Sequence, residues 1–137
     1  QTNKVKQAVK IFDYIHSLDS FKLAKKISEE QKKIGKNLKI FIQINIGSEE
    51  QKSGIAIDDL QSFYQTCVKD LNLDIVGLMC LPPNNKDSTL YFEKMMKASE
   101  NLATKELSMG MSSDYLNAVK YKSSFVRIGS KIFGQRN

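Results

Sequence analysis

Residues 38–47 read LKIFIQINIG, a run that is almost continuously apolar and rich in β-branched side chains. A strand with one solvent-facing side alternates apolar and polar residues, and this run lacks that alternation. It therefore predicts a strand that is buried on both faces. Strands of this kind are typical of parallel sheets covered by helices, so the stretch favours an α/β fold.

Helical and strand patterns alternate on both sides of this strand. Apolar residues recur at helical spacing before each predicted strand, for example at Val5, Val9 and Phe12. The predicted strands are Tyr14–Leu18, Lys39–Ile46, Asp74–Cys80, Glu106–Met111 and Phe125–Ile128. Strict alternation with helical crossovers predicts parallel strands. Two architectures fit this order, an open doubly wound sheet and part of a (β/α)-barrel.

Composition limits the classes of protein. The 137 residues suffice for one domain, which we expect to span residues 1–137. No apolar run approaches the roughly 18 residues of a membrane span, and the N-terminus is polar and unlike a signal peptide. Cys67 and Cys80 lack the spacing of a metal site or a disulfide framework. We therefore expect a cytoplasmic protein with reduced cysteines and no membrane partner.

The charge pattern argues against a nucleic-acid partner. The formal net charge is +6, but Arg127 and Arg136 are the only arginines among 21 basic residues. Proteins that read nucleic acid usually carry arginine and clustered aromatic residues on one face. The densest basic stretch, residues 22–39, mixes lysine with Glu29 and Glu30, which is typical of a solvated helix surface.

The last two predicted strands end in glycine and serine. Residues 110–113 read GMSS, and residues 127–130 read RIGS. Ligands bind at the carboxyl ends of the strands in both candidate architectures. Free backbone amides and a helix N-terminus suit an anion there, and glycine permits close approach. Neither segment is a P-loop or G-x-G-x-x-G, and Ser113 and Asp114 could instead cap a helix, so the spacing alone leaves both interpretations open.

Arg127 lies in the last predicted strand, where alternate residues share a face. Val126 and Ile128 suit packing against outer helices. Arg127 then points into the centre of the sheet or barrel, together with Phe125 and Gly129. A guanidinium there needs an acceptor. The interiors of the neighbouring strands contain no Asp or Glu, so a carboxylate partner and a bound ligand both stay open.

Other candidates have two interpretations each. His16, the only histidine, ends a predicted strand, and could line a pocket or simply form a structural hydrogen bond. Met79, Met109 and Met111 could wall a ring-binding pocket or fill the barrel. The sequence shows no Ser-His-Asp set, no paired carboxylates at strand ends and no metal-ligand cluster, so we expect no catalytic residues and no enzyme.

Several segments resemble, in order, the pyridoxal phosphate homeostasis proteins, a family of small (β/α)-barrel proteins that bind pyridoxal 5'-phosphate (PLP). These segments are QTNK (1–4), IQINIGSEEQKSGI (42–55), GLMCLPP (77–83), LSMGMSSDY (107–115) and FVRIGSKIFGQR (125–136). Residues 126–134 are also similar to a strand of bacterial alanine racemase, a larger enzyme on the same barrel type. The resemblance implies a partial (β/α)8 TIM-type barrel, whose five strands correspond to the family's fourth to eighth.

The resemblance also implies a cofactor site. The phosphate of PLP would sit on the turn formed by Gly110, Met111 and Ser112 and on Gly129 and Ser130. Its donors would be the Ser112 hydroxyl and the amides of Gly129 and Ser130. Arg127 would face the cofactor, with the pyridine nitrogen as the expected contact. Since arginine is a permanent donor, it would keep that nitrogen unprotonated, which suits holding PLP better than deep carbanion chemistry.

The chain departs from the family pattern in one main respect. The family's Schiff-base lysine belongs to its first strand, upstream of the position that Gln1 matches, so we expect the C-terminal portion of a longer protein that holds PLP non-covalently at most. Five of eight strands leave two open edges, which we expect to pair with an N-terminal segment or with another copy. A smaller departure is Lys122, where the family often has glycine.

The expected function is PLP binding and homeostasis by a non-catalytic cofactor carrier that affects amino-acid and keto-acid metabolism. Two alternatives stay open. The first is a fragment of an alanine-racemase-like PLP enzyme, and the second is a generic phosphate-binding α/β module.

Overall fold

The structure is a computed structural model that describes residues 2–50, 52–84, 87–102 and 104–135. Parts of the matched segments, residues 1, 51 and 136, lie outside the described residues. The strands are β1 (Tyr14–Leu18), β2 (Lys39–Ile44), β3 (Asp74–Cys80), β4 (Glu106–Met111) and β5 (Phe125–Arg127). The α-helices are α1 (Val5–Ile11), α2 (Phe21–Ile34), α3 (Leu60–Gln65), α4 (Thr89–Asn101), α5 (Tyr115–Lys120) and α6 (Ser130–Phe133). Short 3₁₀ turns cover Thr2–Lys4 and Ile57–Asp59, and a π-helical turn covers Thr66–Asp70.

All five strands are parallel and lie in chain order, β1-β2-β3-β4-β5. This confirms the predicted alternation of parallel strands and helices. β2 ends at Ile44 rather than Ile46, because Asn45 turns the chain into the next loop. Its side chain donates to the Glu49 carbonyl (2.8 Å) and accepts from the Glu49 amide (3.2 Å). β5 ends at Arg127 rather than Ile128, just before the corner that leads into α6.

The sheet curls strongly, as in a barrel. The ring centroids of His16 on β1 and Phe125 on β5 are 5.2 Å apart, although these strands lie at opposite ends of the sheet order. Neighbouring strands are about 4.8 Å apart, so a flat sheet would separate β1 from β5 by about 19 Å. The structure is therefore a curled half-barrel, which confirms the partial (β/α)-barrel and excludes the open doubly wound sheet.

The two faces of β2 explain why its sequence is so apolar. Ile40, Ile42 and Ile44 are at most 1% exposed and belong to the core beneath the helices. Phe41 is equally buried but points into the curl, where its ring stacks on His16 at 4.2 Å. A strand that packs on both sides needs apolar residues at consecutive positions.

One packing prediction is wrong. The alternation of residues in the last strand predicts that Val126 lies beneath outer helices, but Val126 is 38% exposed, whereas Ile128 is half-buried. β5 is the outermost strand of the described sheet and only three residues long. The following helix, α6, is one short turn whose Ile132 and Phe133 are themselves largely exposed, so it does not cover the outer face of the strand.

None of the described helices is both long and apolar enough to cross a membrane. Cys67 and Cys80 are buried free thiols, as predicted. Burial raises the pKa of each thiol to about 12, so both stay protonated at neutral pH.

Candidate functional site

A cavity of about 690 Å³ lies at the carboxyl ends of β4 and β5. Five of the six predicted site residues line it: Met111, Ser112, Arg127, Gly129 and Ser130. The remaining lining residues are Asn84, Ser113, Phe133, Gly134 and Gln135. The sixth predicted residue, Gly110, lines an adjoining cavity beside Pro82 and Pro83. The structure therefore brings the two glycine-serine corners and the arginine to one place.

The Ser112 hydroxyl joins the two corners directly. Its Oγ accepts from the Gly129 amide and from the Lys131 amide, each at 3.2 Å. The sequence singled out the amides of Gly129 and Ser130 but not that of Lys131. The Lys131 amide faces the corner because residues 130–133 form the short helix α6, whose first amides have no partner within the helix.

The first corner is shaped by Gly110 and Asp114. Gly110 has φ +98°, a left-handed conformation that favours glycine. The Asp114 carboxylate accepts from the Met111 amide at 2.7 Å, which holds the turn between β4 and α5. Asp114 occupies the N-cap position of α5 but makes no side-chain capping bond there. Its side chain therefore shapes the turn instead of capping α5.

Arg127 has two hydrogen-bond acceptors within the protein. Its Nη1 donates to the Ser108 hydroxyl at 2.7 Å, and its Nη2 donates to the Cys80 carbonyl at 2.9 Å. Within the described residues no carboxylate forms an ion pair with it. Burial lowers the pKa of Arg127, yet a guanidinium stays charged at neutral pH. The cation is thus oriented by neutral groups, and the carboxylate of Asp114 acts on it only through space, without an ion pair.

His16 lies in the middle of β1 rather than at its end. Its Nδ1 is 2.9 Å from the Ser108 hydroxyl, and it does not line the 690 Å³ cavity. The interpretation as a structural, hydrogen-bonded histidine is therefore the one that the contacts support. Burial, followed by the charge of Arg127, lowers the pKa of His16 below its ordinary value of 6.5.

The structure separates the three methionines that were predicted either to fill the barrel or to wall a pocket. Met109 is fully buried in the core, and Met79 is 5% exposed. Met111 is 45% exposed and lines the cavity. Among the described residues no group of three or more His, Cys, Asp or Glu side chains could hold a metal ion.

The curled parallel sheet, with its cavity at the carboxyl ends of the strands, places this protein in the (β/α)-barrel class. More particularly, the chain belongs to the family described as alanine racemase, N-terminal domain, which it matches over residues 1–137.

The relatives confirm the predicted relationship to the PLP homeostasis proteins. The pyridoxal phosphate homeostasis protein of Aquifex aeolicus is 35% identical over 145 residues, covering 99% of this chain and 64% of that protein. A structure of PipY from Synechococcus elongatus without PLP superposes with a TM-score of 0.90 at 30% identity, covering 98% of this chain and 67% of that one. The PipY structure with PLP bound gives a TM-score of 0.88 at 29% identity and covers 98% and 66%. The chain thus spans about two thirds of the length of these relatives.

Proposed function

We propose that this chain binds PLP in the 690 Å³ cavity and belongs to a non-catalytic carrier that buffers the free cofactor. The observation that carries the proposal is the convergence of two backbone amides on the Ser112 hydroxyl, in a cavity that Arg127 also lines. The homeostasis proteins among the relatives and the PLP-bound PipY structure support PLP as the ligand.

The residues present fit the phosphate group of PLP. The amides of Gly129 and Lys131 already converge on one oxygen, that of Ser112, so the same corner can donate to a phosphate oxygen. A Cβ added at Gly129 would meet no heavy atom within 4 Å, which leaves space for a ligand at this corner. We propose that Gly110, Met111, Ser112, Gly129 and Ser130 form the phosphate-binding corner.

The residues also fit the aromatic ring of PLP. Arg127 lines the same cavity, and each of its terminal nitrogens has a second N–H besides the one donated to Ser108 or Cys80. We propose that Arg127 donates to the pyridine nitrogen. When bound, PLP supplies an electron sink, which is weaker when its ring nitrogen is unprotonated. A permanent donor at that nitrogen disfavours protonation, which supports a carrier over a transaminase-like enzyme.

Absorbance titration with PLP tests the proposal. We expect saturable binding by the chain, competed by inorganic phosphate. Ser112→Ala removes one donor to a charged group and should weaken binding by about tenfold or more. Ser62→Ala is the matched control, since Ser62 is an exposed serine on α3 that donates only to the Asp59 carbonyl. Equal affinities for the two variants would contradict the proposed phosphate corner.

An alanine-racemase-like enzyme is the second candidate, favoured by the family to which the chain belongs. Incubation of L-alanine with the chain and PLP, followed by chiral analysis, separates the two. If the chain is a carrier, D-alanine should form no faster than it does with free PLP alone. A generic phosphate-binding module would instead bind inorganic phosphate as tightly as it binds PLP.

We further propose that residues 1–137 form a single domain equivalent to the C-terminal part of the relatives' barrel, located in the cytoplasm and holding PLP non-covalently. Its edge strands β1 and β5 would pair with the segment that completes the barrel or with a second copy. Size-exclusion chromatography with light scattering distinguishes self-association from a monomer.

A further inference from the structure

Side chains from three strands form one hydrogen-bonded line behind the cavity. Arg127 on β5 donates to the Ser108 hydroxyl on β4 at 2.7 Å. The same hydroxyl lies 2.9 Å from Nδ1 of His16 on β1. Ser108 is completely buried, and the other two residues are half-buried. The line connects a cavity-lining cation to a histidine that does not reach the cavity.

The protons in this line have a fixed order. A guanidinium can only donate, so the Ser108 oxygen accepts from Arg127. Within the described residues, Nδ1 of His16 is the one acceptor within reach of the Ser108 hydroxyl hydrogen, so we assign that hydrogen to Nδ1. This requires a neutral imidazole that carries its proton on Nε2. Protonation of His16 would turn Nδ1 into a second donor to the same oxygen and leave the hydrogen of the buried Ser108 hydroxyl without an acceptor among the described residues.

The surroundings of His16 favour the neutral ring. Phe41 on β2 stacks on it at 4.2 Å, and Phe125 on β5 meets it edge-on at 5.2 Å. Among the described residues, Arg127 is the charged side chain in this hydrogen-bonded line, and it is connected to His16 through the Ser108 hydroxyl. The ring centroid of Tyr14, which is also on β1, lies 6.2 Å from that of His16. Nζ of Lys39 on β2 lies 5.5 Å from the centroid of the Tyr14 ring. Burial and the charge of Arg127 both lower the pKa of His16.

We propose that Ser108 and His16 are positioning residues, which hold the guanidinium of Arg127 in its cavity-facing orientation only while His16 is neutral. The hydrogen-bonded line itself is independent of any ligand. Its consequence for PLP rests on the proposed function, in which Arg127 contacts the cofactor. As the pH falls through the pKa of His16, the line breaks and the affinity for PLP should fall with it.

The ligand-free arm of the test uses nitrogen chemical shifts of the only histidine in the chain. We expect the Nε2–H tautomer in the wild type and a pKa below 6.5. Ser108→Ala should abolish the tautomer preference, and Arg127→Met should raise the pKa of His16. Ser28→Ala is the matched control, because Ser28 is a buried serine that donates to the Leu71 carbonyl, away from the line. It should change neither quantity. An Nδ1–H tautomer in the wild type would overturn the proposal.

The second arm measures PLP affinity as a function of pH for two variants whose folding is checked by circular dichroism. His16→Asn keeps an acceptor that does not titrate, so its affinity at neutral pH should be retained. Its dependence on pH should shrink to the part contributed by the phosphate of PLP, whose second pKa is about 6. His16→Phe keeps an aromatic ring but has no acceptor, so its affinity should fall by about threefold to tenfold at neutral pH. If PLP binds the wild type but both variants retain its affinity and pH profile, the positioning role is wrong. If the nitrogen shifts are as expected but the wild type does not bind PLP, the proposed function fails, and the positioning of Arg127 stands.

Discussion

Replacing Gly110 by alanine should destabilise the fold through two separate effects. Gly110 has φ +98°, which L-residues adopt only with strain. A Cβ built at this position would lie 2.7 Å from Cβ of Ala118 and 3.0 Å from Cα of Tyr115. Ala118 is fully buried on α5, and neither contacting atom can rotate away. The steric clash with the added methyl group can therefore be relieved only if α5 moves away from β4.

The magnitude follows from these two effects. A left-handed backbone costs an L-residue about 1–2 kcal/mol. Extra volume in a packed region costs typically about 1–3 kcal/mol. We therefore expect Gly110→Ala to lower the free energy of unfolding by about 2–5 kcal/mol, which is a large part of the roughly 5–15 kcal/mol of a typical domain.

Urea denaturation followed by far-UV circular dichroism measures this loss, and Gly35→Ala separates the two effects. Gly35 also has positive φ, at +64°, but a Cβ there meets nothing within 4 Å. Gly35→Ala should therefore lower the free energy of unfolding only by the cost of the left-handed backbone, about 1–2 kcal/mol. If Gly110→Ala costs no more than Gly35→Ala, the steric part of the reasoning is refuted.

Three further predictions concern the turns and His16. Lys122 has φ +64°, a left-handed conformation that is strained for any residue but glycine. Thermal unfolding of Lys122→Gly should therefore show a free energy of unfolding that is higher by about 0.5–1 kcal/mol. The variant also loses the exposed ion pair with Glu100, which contributes little to stability. Gly129→Ala should change stability by less than about 1 kcal/mol but weaken PLP binding in the absorbance titration, because the added methyl group occupies the proposed phosphate corner; unchanged binding would remove Gly129 from the site. The folded state lowers the pKa of His16 below 6.5, so it binds fewer protons than the unfolded chain. The free energy of unfolding should therefore decrease as the pH falls below 6.5 and level off below the folded pKa, and urea denaturation of His16→Phe should lack this part of the slope.

Local patterns predicted most of the elements. The bounds of β1, β3 and β4 agree with the prediction. The signal is clearest for β3, a largely buried apolar run that is soon followed by Pro82. Periodicity does not resolve the segment 57–70. Apolar residues that share one helical face predict a single helix that begins at Asp58, namely Leu60, Phe63, Tyr64, Cys67 and Leu71. The structure has a 3₁₀ turn, α3 and a π-helical turn there, closed by a bond from the Leu71 amide to the Thr66 carbonyl. The apolar residues of that face all pack in or against the core, so their spacing does not reveal where the hydrogen-bond pattern changes.

The site was predictable where it consists of side chains at strand ends, and not where it depends on the backbone or on curvature. The serine and glycine corners were visible as residues. The amide of Lys131 carries no residue signature, and α6 is too short to show a periodic pattern. The partners of Arg127 were missed for another reason. Ser108 and the Cys80 carbonyl lie on other strands, and no rule of sequence spacing pairs an arginine with an uncharged acceptor across a curled sheet.

The neutral partners of Arg127 matter for what the cavity can bind. A buried guanidinium needs acceptors, and a carboxylate is the usual solution, but it would cancel the charge that the cavity could offer to an anion. Here a hydroxyl and a backbone carbonyl accept hydrogen bonds from two of the guanidinium N–H groups, and neither acceptor carries a charge. The hydroxyl can serve this purpose because curvature brings Nδ1 of His16 on β1 to 2.9 Å from the Ser108 oxygen on β4, where the proposed neutral imidazole accepts the serine hydrogen. The curl of the sheet therefore allows a cation at this position to be oriented without an ion pair, and this arrangement is compatible with the proposed contact between Arg127 and the pyridine nitrogen of PLP.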